Sequence, residues 1–139
     1  MLLELVTPEG TLVSEEIQEL TAMTESGEIG VLKNHAELKS KLLSAPLRYK
    51  LNDNSVDVVA VLGGVVEVSQ NKITVLTDFA QKADDIDEAQ AQKEADRAQA
   101  EIQTLSSEAK DSNPQLALAE AQLQKELIKL KASRLKKRF

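Results

Sequence analysis

The chain has 139 residues and a formal net charge of −6, with no Cys, no Trp, one His, one Tyr and two Phe. The lack of thiols excludes disulfides, thiol nucleophiles and thiolate metal sites, and one His excludes a histidine metal cluster. No run approaches the roughly 18 apolar residues of a membrane span, and Met1-Leu2-Leu3-Glu4-Leu5 lacks the basic start of a signal peptide, so membrane association is expected only through a partner.

Up to about residue 82 the apolar residues alternate in twos, the period of half-buried strands; beyond it they recur every three or four, the period of amphipathic helices. Leu2–Val6 reads as a first strand, closed by a type I turn at Thr7-Pro8-Glu9-Gly10. Leu12–Ser14 and Ile17–Met23 read as two further strands, followed by a glycine-containing loop from Glu25 to Ala36. Leu47–Leu51 and Val56–Leu62 flank the hairpin loop Asn52-Asp53-Asn54-Ser55, and Val65–Ser69 and Lys72–Thr77 flank Gln70-Asn71, where Asn tolerates the left-handed conformation. Many short strands with regular turns argue a sandwich or barrel. With so few aromatics its core must come from Val, Leu, Ile and Ala, and a β domain of about 80 residues is marginal alone.

Gly63-Gly64 reads as a bulge or a place where another backbone approaches. A phosphate cradle fits poorly, because no helix and no Lys-Ser/Thr follow.

Asp85-Ile86-Asp87-Glu88 has the pattern of a capping box, with Asp85 as cap and Glu88 three residues on. Ala91, Ala95, Ala98, Ile102, Leu105 and Ala109 form a heptad seam, interrupted by Ser106-Ser107 and Asp111-Ser112-Asn113. Asn113-Pro114 restarts a helix, whose seam reads Leu116, Ala119, Leu123, Leu127 and Leu130. The fold class expected is therefore α+β: an N-terminal antiparallel β-sandwich over residues 1–83, then an antiparallel two-helix hairpin over residues 84–139. A seam built mostly of Ala buries little area, so the hairpin is expected to be a weakly held arm that folds back or extends.

Charge is segregated along the chain. Residues 1–124 carry 10 basic and 22 acidic side chains, a balance of −12, while residues 125–139 carry seven basic against Glu126, a balance of +6. The seven are Lys125, Lys129, Lys131, Arg134, Lys136, Lys137 and Arg138. Such a tip steers encounters with acidic surfaces.

Three stretches, in order and at the right spacing, resemble one family. Gly27-Glu28-Ile29-Gly30-Val31-Leu32-Lys33-Asn34-His35-Ala36 is similar to the G-x-x-G-x-L-P-x-H-A loop of the epsilon subunit of rotary F-type ATP synthases. Leu62 to Val68 with Ile73 to Leu76, and then Ile86-Asp87-Glu88-Ala89, resemble that family's next two blocks. The chain departs from the pattern at Lys33, Glu37, Lys39 and Lys41, which bears on the contacts of that edge.

The resemblance implies a non-catalytic rotor subunit, coupling ring rotation to the catalytic head. Its β-sandwich would dock on the gamma subunit and the c-subunit ring through Glu28, Ile29, Val31 and His35. The helices would restrain ATP hydrolysis when extended, their basic tip meeting the acidic base of the alpha and beta subunits. The family's ATP-binding motif, I/L-D-x-x-R-A, has Gln90 in the place of Arg, so Ile86, Asp87 and Arg97 offer at most a weak nucleotide contact and no cofactor is expected. The expected location is peripheral on the cytoplasmic side of a bacterial plasma membrane, with the stromal face of a thylakoid as the alternative. Two other classes stay open on the residues alone. A nucleic-acid module would use the basic helix, although the acidic remainder and scarce aromatics oppose it. A hydrolytic site would use Asp84, Asp85 and Asp87, which helix capping explains more simply.

Overall fold

A computed structural model describes residues 1–108 and 114–139. Nine strands come first: β1 (Leu2–Thr7), β2 (Gly10–Thr24), β3 (Gly27–Leu32), β4 (Leu38–Leu42), β5 (Ala45–Leu51), β6 (Val56–Val61), β7 (Gly64–Ser69), β8 (Lys72–Leu76) and β9 (Ala80–Lys82). A 3-10 turn (Ala83–Asp85) leads to helices α1 (Glu88–Glu108) and α2 (Pro114–Lys136). The α+β architecture of strands followed by two helices is as expected. The strands pair antiparallel apart from β1 and β8, which run parallel with Leu2 opposite Lys72.

Pairing runs β1-β8-β7-β4-β2-β5-β6-β9, with β3 beside β2, and a direct β1–β2 ladder closes the first five strands on themselves. The two inner faces meet in one apolar core of Leu3, Leu5, Leu20, Val31, Tyr49 and Ile73 with their neighbours. Aliphatic residues do supply nearly all of it.

The expected pair of strands at 12–14 and 17–23 is a single strand of 15 residues, β2. The buried positions change phase within it: Val13 and Ile17 face the core at odd numbers, then Leu20, Ala22 and Thr24 at even ones. A β-bulge explains the change, because Ile17 pairs with Leu51 and Glu19 with Lys50, leaving Gln18 over. Gln18 fastens the spot: its Nε2 donates to Leu51 O and Asn54 Oδ1, both at 2.9 Å.

Three more expectations change. The loop from Glu25 to Ala36 contains β3, which forms a two-residue hairpin with β2 in the register Thr24 to Gly27. Strand β4 has the alternation Leu-Lys-Ser-Lys-Leu, hidden by its lysines, and β9 is only three residues long. Gln70 and Asn71 both take positive φ, 48° and 62°, as a two-residue hairpin turn requires.

Tyr49 lies fully inside, and its hydroxyl has no hydrogen-bond partner among the described residues. Burial raises the phenol above its ordinary value of 10.0, with the charges of Asp57 and Glu15 adding to it. A raised folded value means stability is complete below about pH 10 and falls as pH rises beyond it. Tyr49→Phe is therefore expected to stabilise by about 1 kcal/mol at neutral pH, since it removes an unpaired buried hydroxyl. It is also expected to flatten the alkaline loss of stability, as denaturant melts from pH 8 upward will register.

Candidate functional site

The helix start is shifted from its expected place. Asp85 ends the 3-10 turn, its carbonyl held by Gln81 Nε2 at 3.1 Å, and Ile86 is extended. Asp87 is the cap: its Oδ1 accepts from Gln90 N at 3.1 Å, and its carbonyl accepts from Ala91 N at 2.9 Å. The short link from β9 needs that extra turn, so the cap moves two residues on. Glu88 then leads the helix with its carboxylate free to reach α2.

In α1 the expected seam holds, with Ala91, Ala95 and Ala98 buried and Ile102 and Leu105 half-buried; Ala109, Asp111, Ser112 and Asn113 lie outside the described residues. In α2 the seam is corrected. Leu127 is 43% exposed, and the line facing α1 runs Ala119, Leu123, Glu126, Leu130 and Ser133. Glu126 is only 3% exposed because its carboxylate accepts from Gln122 Nε2 at 2.8 Å and pairs with Lys129 at 3.3 Å. A carboxylate looks wrong for a seam until those partners are known. A second α2 stripe, Ile128, Ala132 and Leu135, packs on Val58 and Ala60 of the sheet and on Ala83 of the 3-10 turn. The helix thus serves two interfaces, each small.

The basic tip holds that packing in place. Lys136 Nζ donates to Val56 O, pairs with Asp57 Oδ1 at 3.0 Å and lies 3.9 Å from Asp84. Glu88 receives Arg134 Nε at 3.2 Å, Ser133 Oγ at 3.3 Å and the ammonium of Lys137. Lys137 and Arg134 accordingly hold the Glu88 carboxyl below its ordinary value of 4.5. Lys125 Nζ sits 4.3 Å from the centre of the Phe79 ring, and Lys129 reaches the same ring at 5.6 Å. Lys131 and Arg138 have no such partner among the described residues. The clamp partners Asp57, Glu88 and Phe79 are invisible in the sequence, since ion pairs between residues 46 to 79 positions apart leave no periodic trace.

The expected docking residues lie along one side of the sandwich. Glu28 is exposed, Ile29 half-buried and Val31 wholly within the core, so Val31 sets the register of β3 and offers a partner no side chain. His35 is exposed in the turn after β3, its Nδ1 2.7 Å from Ala36 O. The structure does bring Ile86 and Asp87 together, in a cleft of about 350 Å³ between the helices, but Arg97 is not on its wall and pairs with Glu94 at 3.5 Å. Asp85, Asp87, Glu94 and Glu126 line that cleft with Lys129 as the one cation, an unfavourable setting for a triphosphate. Among the described residues no acidic or histidine group forms a metal cage, and no helix is long and apolar enough to cross a membrane.

Comparison with known proteins gives consistent matches. The model of the ATP synthase delta/epsilon chain beta-sandwich domain matches residues 1–83. An ATP synthase epsilon chain of Nitratidesulfovibrio vulgaris is 39% identical over 119 residues, covering 86% of this chain and 88% of that one. The epsilon chain of Symbiobacterium thermophilum is 37% identical, covering 96% and 92%, and the chloroplastic one of Nicotiana tabacum 33%, covering 91% and 94%. A chain in the Euglena gracilis mitochondrial ATP synthase (OSCP/F1/c-ring in rotational state 1) superposes with a TM-score of 0.71 at 22% identity, over 88% of this chain and 74% of that one. At such identity the likeness is one of fold.

Proposed function

This chain belongs to the family of ATP synthase epsilon chains, and we propose that it works in the central stalk as a rotor subunit whose helical arm restrains ATP hydrolysis. It is an accessory, non-catalytic subunit, as its relatives are. In this reading the β-sandwich docks on the gamma subunit and the c-subunit ring through the side that carries Glu28, Ile29 and His35. The arm acts on the alpha and beta subunits. The complex sits at a membrane, on the cytoplasmic side in a bacterium or the stromal side in a chloroplast.

The clamp is the observation that supports this most. Five of the seven basic side chains of the tip, Lys125, Lys129, Arg134, Lys136 and Lys137, are occupied within the folded-back chain. Their partners on the sandwich and α1 are two acids about 30% exposed (Asp57 and Glu88), the carbonyl of Val56 and one ring, all of which water and a competing acidic surface can replace. Apolar contact beneath them is limited in extent, with Ile128, Ala132 and Leu135 seated on Val58, Ala60 and Ala83. An arm held this way has two states of similar free energy, and an acidic partner surface selects the open one. The reading assigns the arm no cofactor, because the acids lining its cleft oppose a bound triphosphate. Nucleic acid is left out as a partner, because the cations point at internal acids and leave no continuous basic face.

The test is ATPase turnover of the catalytic complex reconstituted with the full chain or with a truncation after Ala83. The full chain is expected to slow turnover several-fold, and the truncation to bind without slowing it. Binding without inhibition by either would leave the arm a structural element. Failure of both to bind would overturn the rotor reading.

A further inference from the structure

Sheet edges expose unpaired N–H and C=O groups, and folded proteins usually cover or guard them. Here β9 covers the edge of β6 at Val59–Val61, and Lys136 caps the carbonyl of Val56. The β1–β2 ladder removes two further edges. Strand β4 meets β2 at Leu42, Lys41 O accepts from Glu25 N at 3.1 Å, and the free edge beyond carries exposed Lys39. Strand β3 differs. It pairs with β2 through six residues, no strand lies on its far side among the described residues, and it carries no lysine.

Which groups it offers follows from its hairpin. A two-residue loop closed by Thr24 and Gly27 makes that pair hydrogen-bonded, so the pairs Ala22–Ile29 and Leu20–Val31 are bonded as well. The main-chain groups of Glu28, Gly30 and Leu32 therefore point outward. Only Leu32 O is occupied, by His35 N at 3.1 Å. A Cβ on Gly30 would meet nothing within 4 Å, leaving this part of the surface flat, and Leu32 beside it is 57% exposed.

We propose that β3 is a main-chain docking edge, to which an extended segment of a neighbouring subunit of the ATP synthase adds as a further strand. The inference rests on the rotor reading and gives the chemistry of that docking: backbone pairing, with side chains secondary. A strand is the occupant because only an extended backbone matches alternate outward donors and acceptors at β spacing. Its side chains on the core side must be apolar to complete the shell around half-buried Ile29, and a cation suits the exposed Glu28, which has no ion-pair partner among the described residues. The Glu28, Ile29 and His35 side chains then frame a contact made mainly by the chain itself.

Residue-resolved amide hydrogen exchange of the full chain, free and in the reconstituted complex, tests this. The amides of Glu28, Gly30 and Leu32 are expected to slow by on the order of 100-fold on assembly, while those of Ile29 and Val31 are protected in both states. Gly30→Pro deletes the central outward donor at a position where φ is not positive and an edge strand accepts proline. It is expected to weaken assembly about tenfold or more, whereas Gly30→Ala, which keeps the donor, is expected to weaken it far less. Protection of Ile29 and Val31 in Gly30→Pro reports that the fold is kept; if it is lost, the exchange of the parent chain decides alone. A complex that forms while the edge amides exchange as in the free chain would overturn the inference and leave the rotor reading standing. Edge protection that rises with dimerisation of the isolated chain would also overturn it, assigning the edge to a second copy. A parent chain that joins no complex would remove the rotor reading and this inference together.

Discussion

Gly64→Ala is expected to cost about 4 kcal/mol of stability, a large part of the total for a chain of this size. Gly64 opens β7 with φ at +125°, a conformation that L side chains rarely adopt. A Cβ there would lie 2.0 Å from Leu76 O, with Leu76 C at 3.0 Å and Thr77 Cα at 3.1 Å. All three are backbone or Cα atoms of the β8 end, so no rotamer change relieves the clash. The unfavourable φ accounts for about 1–3 kcal/mol. Parting Val65 from Leu76 and Gly64 from Leu42 supplies the remainder. Calorimetry should show the melting midpoint lowered by about 15 °C, at roughly 4 °C per kcal/mol. Gly30→Ala, with open space and an ordinary φ, is the control, expected within about 0.5 kcal/mol of the parent. A Gly64→Ala melt that matches this control would mean the close approach of the two strands does not hold in solution.

Lys136→Ala is expected to release the arm. The ammonium serves Val56 O and Asp57 Oδ1 together, at a place where both carboxylate and amine are about three-quarters covered. Its removal leaves Asp57 beside the buried Tyr49 without a cation and uncaps an edge carbonyl of β6. The charge-assisted bonds lost are worth about 2 kcal/mol, equivalent to about a 30-fold shift from folded-back to open. Distance measurements between probes on α2 and the sheet should show the open form gaining population. Inhibition by the reconstituted chain should deepen in step. Asp57→Asn should act in the same direction with the tip left chemically intact. An arm that stays closed in both variants would place its retention in the Ile128–Ala132 packing alone.

What the residues disclosed in advance follows how local each cause is. The hairpin at Gln70-Asn71 and the seam of α1 rest on neighbours within a few positions, and both read correctly. The close approach at Gly64 was legible because only glycine tolerates it, although which backbone approached was not. Strand β2 was read as two because a bulge at Gln18 reverses the alternation, and a phase change in a sequence looks the same as a break. Glu126 was passed over for Leu127 because its partners sit three or four residues away on the same helix and hydropathy does not count them. The capping-box pattern points to Asp85, two residues early, because the 3-10 turn after β9 intervenes. The clamp was the least visible feature. Lys136 with Asp57, or Lys137 with Glu88, become neighbours only once the sheet and both helices are in place.

Strand β2 serves both layers of the sandwich. Its first half is laddered to β1 and its second to β3 and β5, with one uninterrupted backbone between them. Sliding one layer over the other must therefore turn the backbone of a laddered strand and break its pairing, where two sheets joined by a loose loop would only shear side-chain contacts. The Gln18 bulge puts the bend at one point and pins it to the β5–β6 turn. On the proposed rotor role, such a continuous path would serve as a torsional brace. It would link the proposed docking edge at β3 to the β6 face on which the arm is seated.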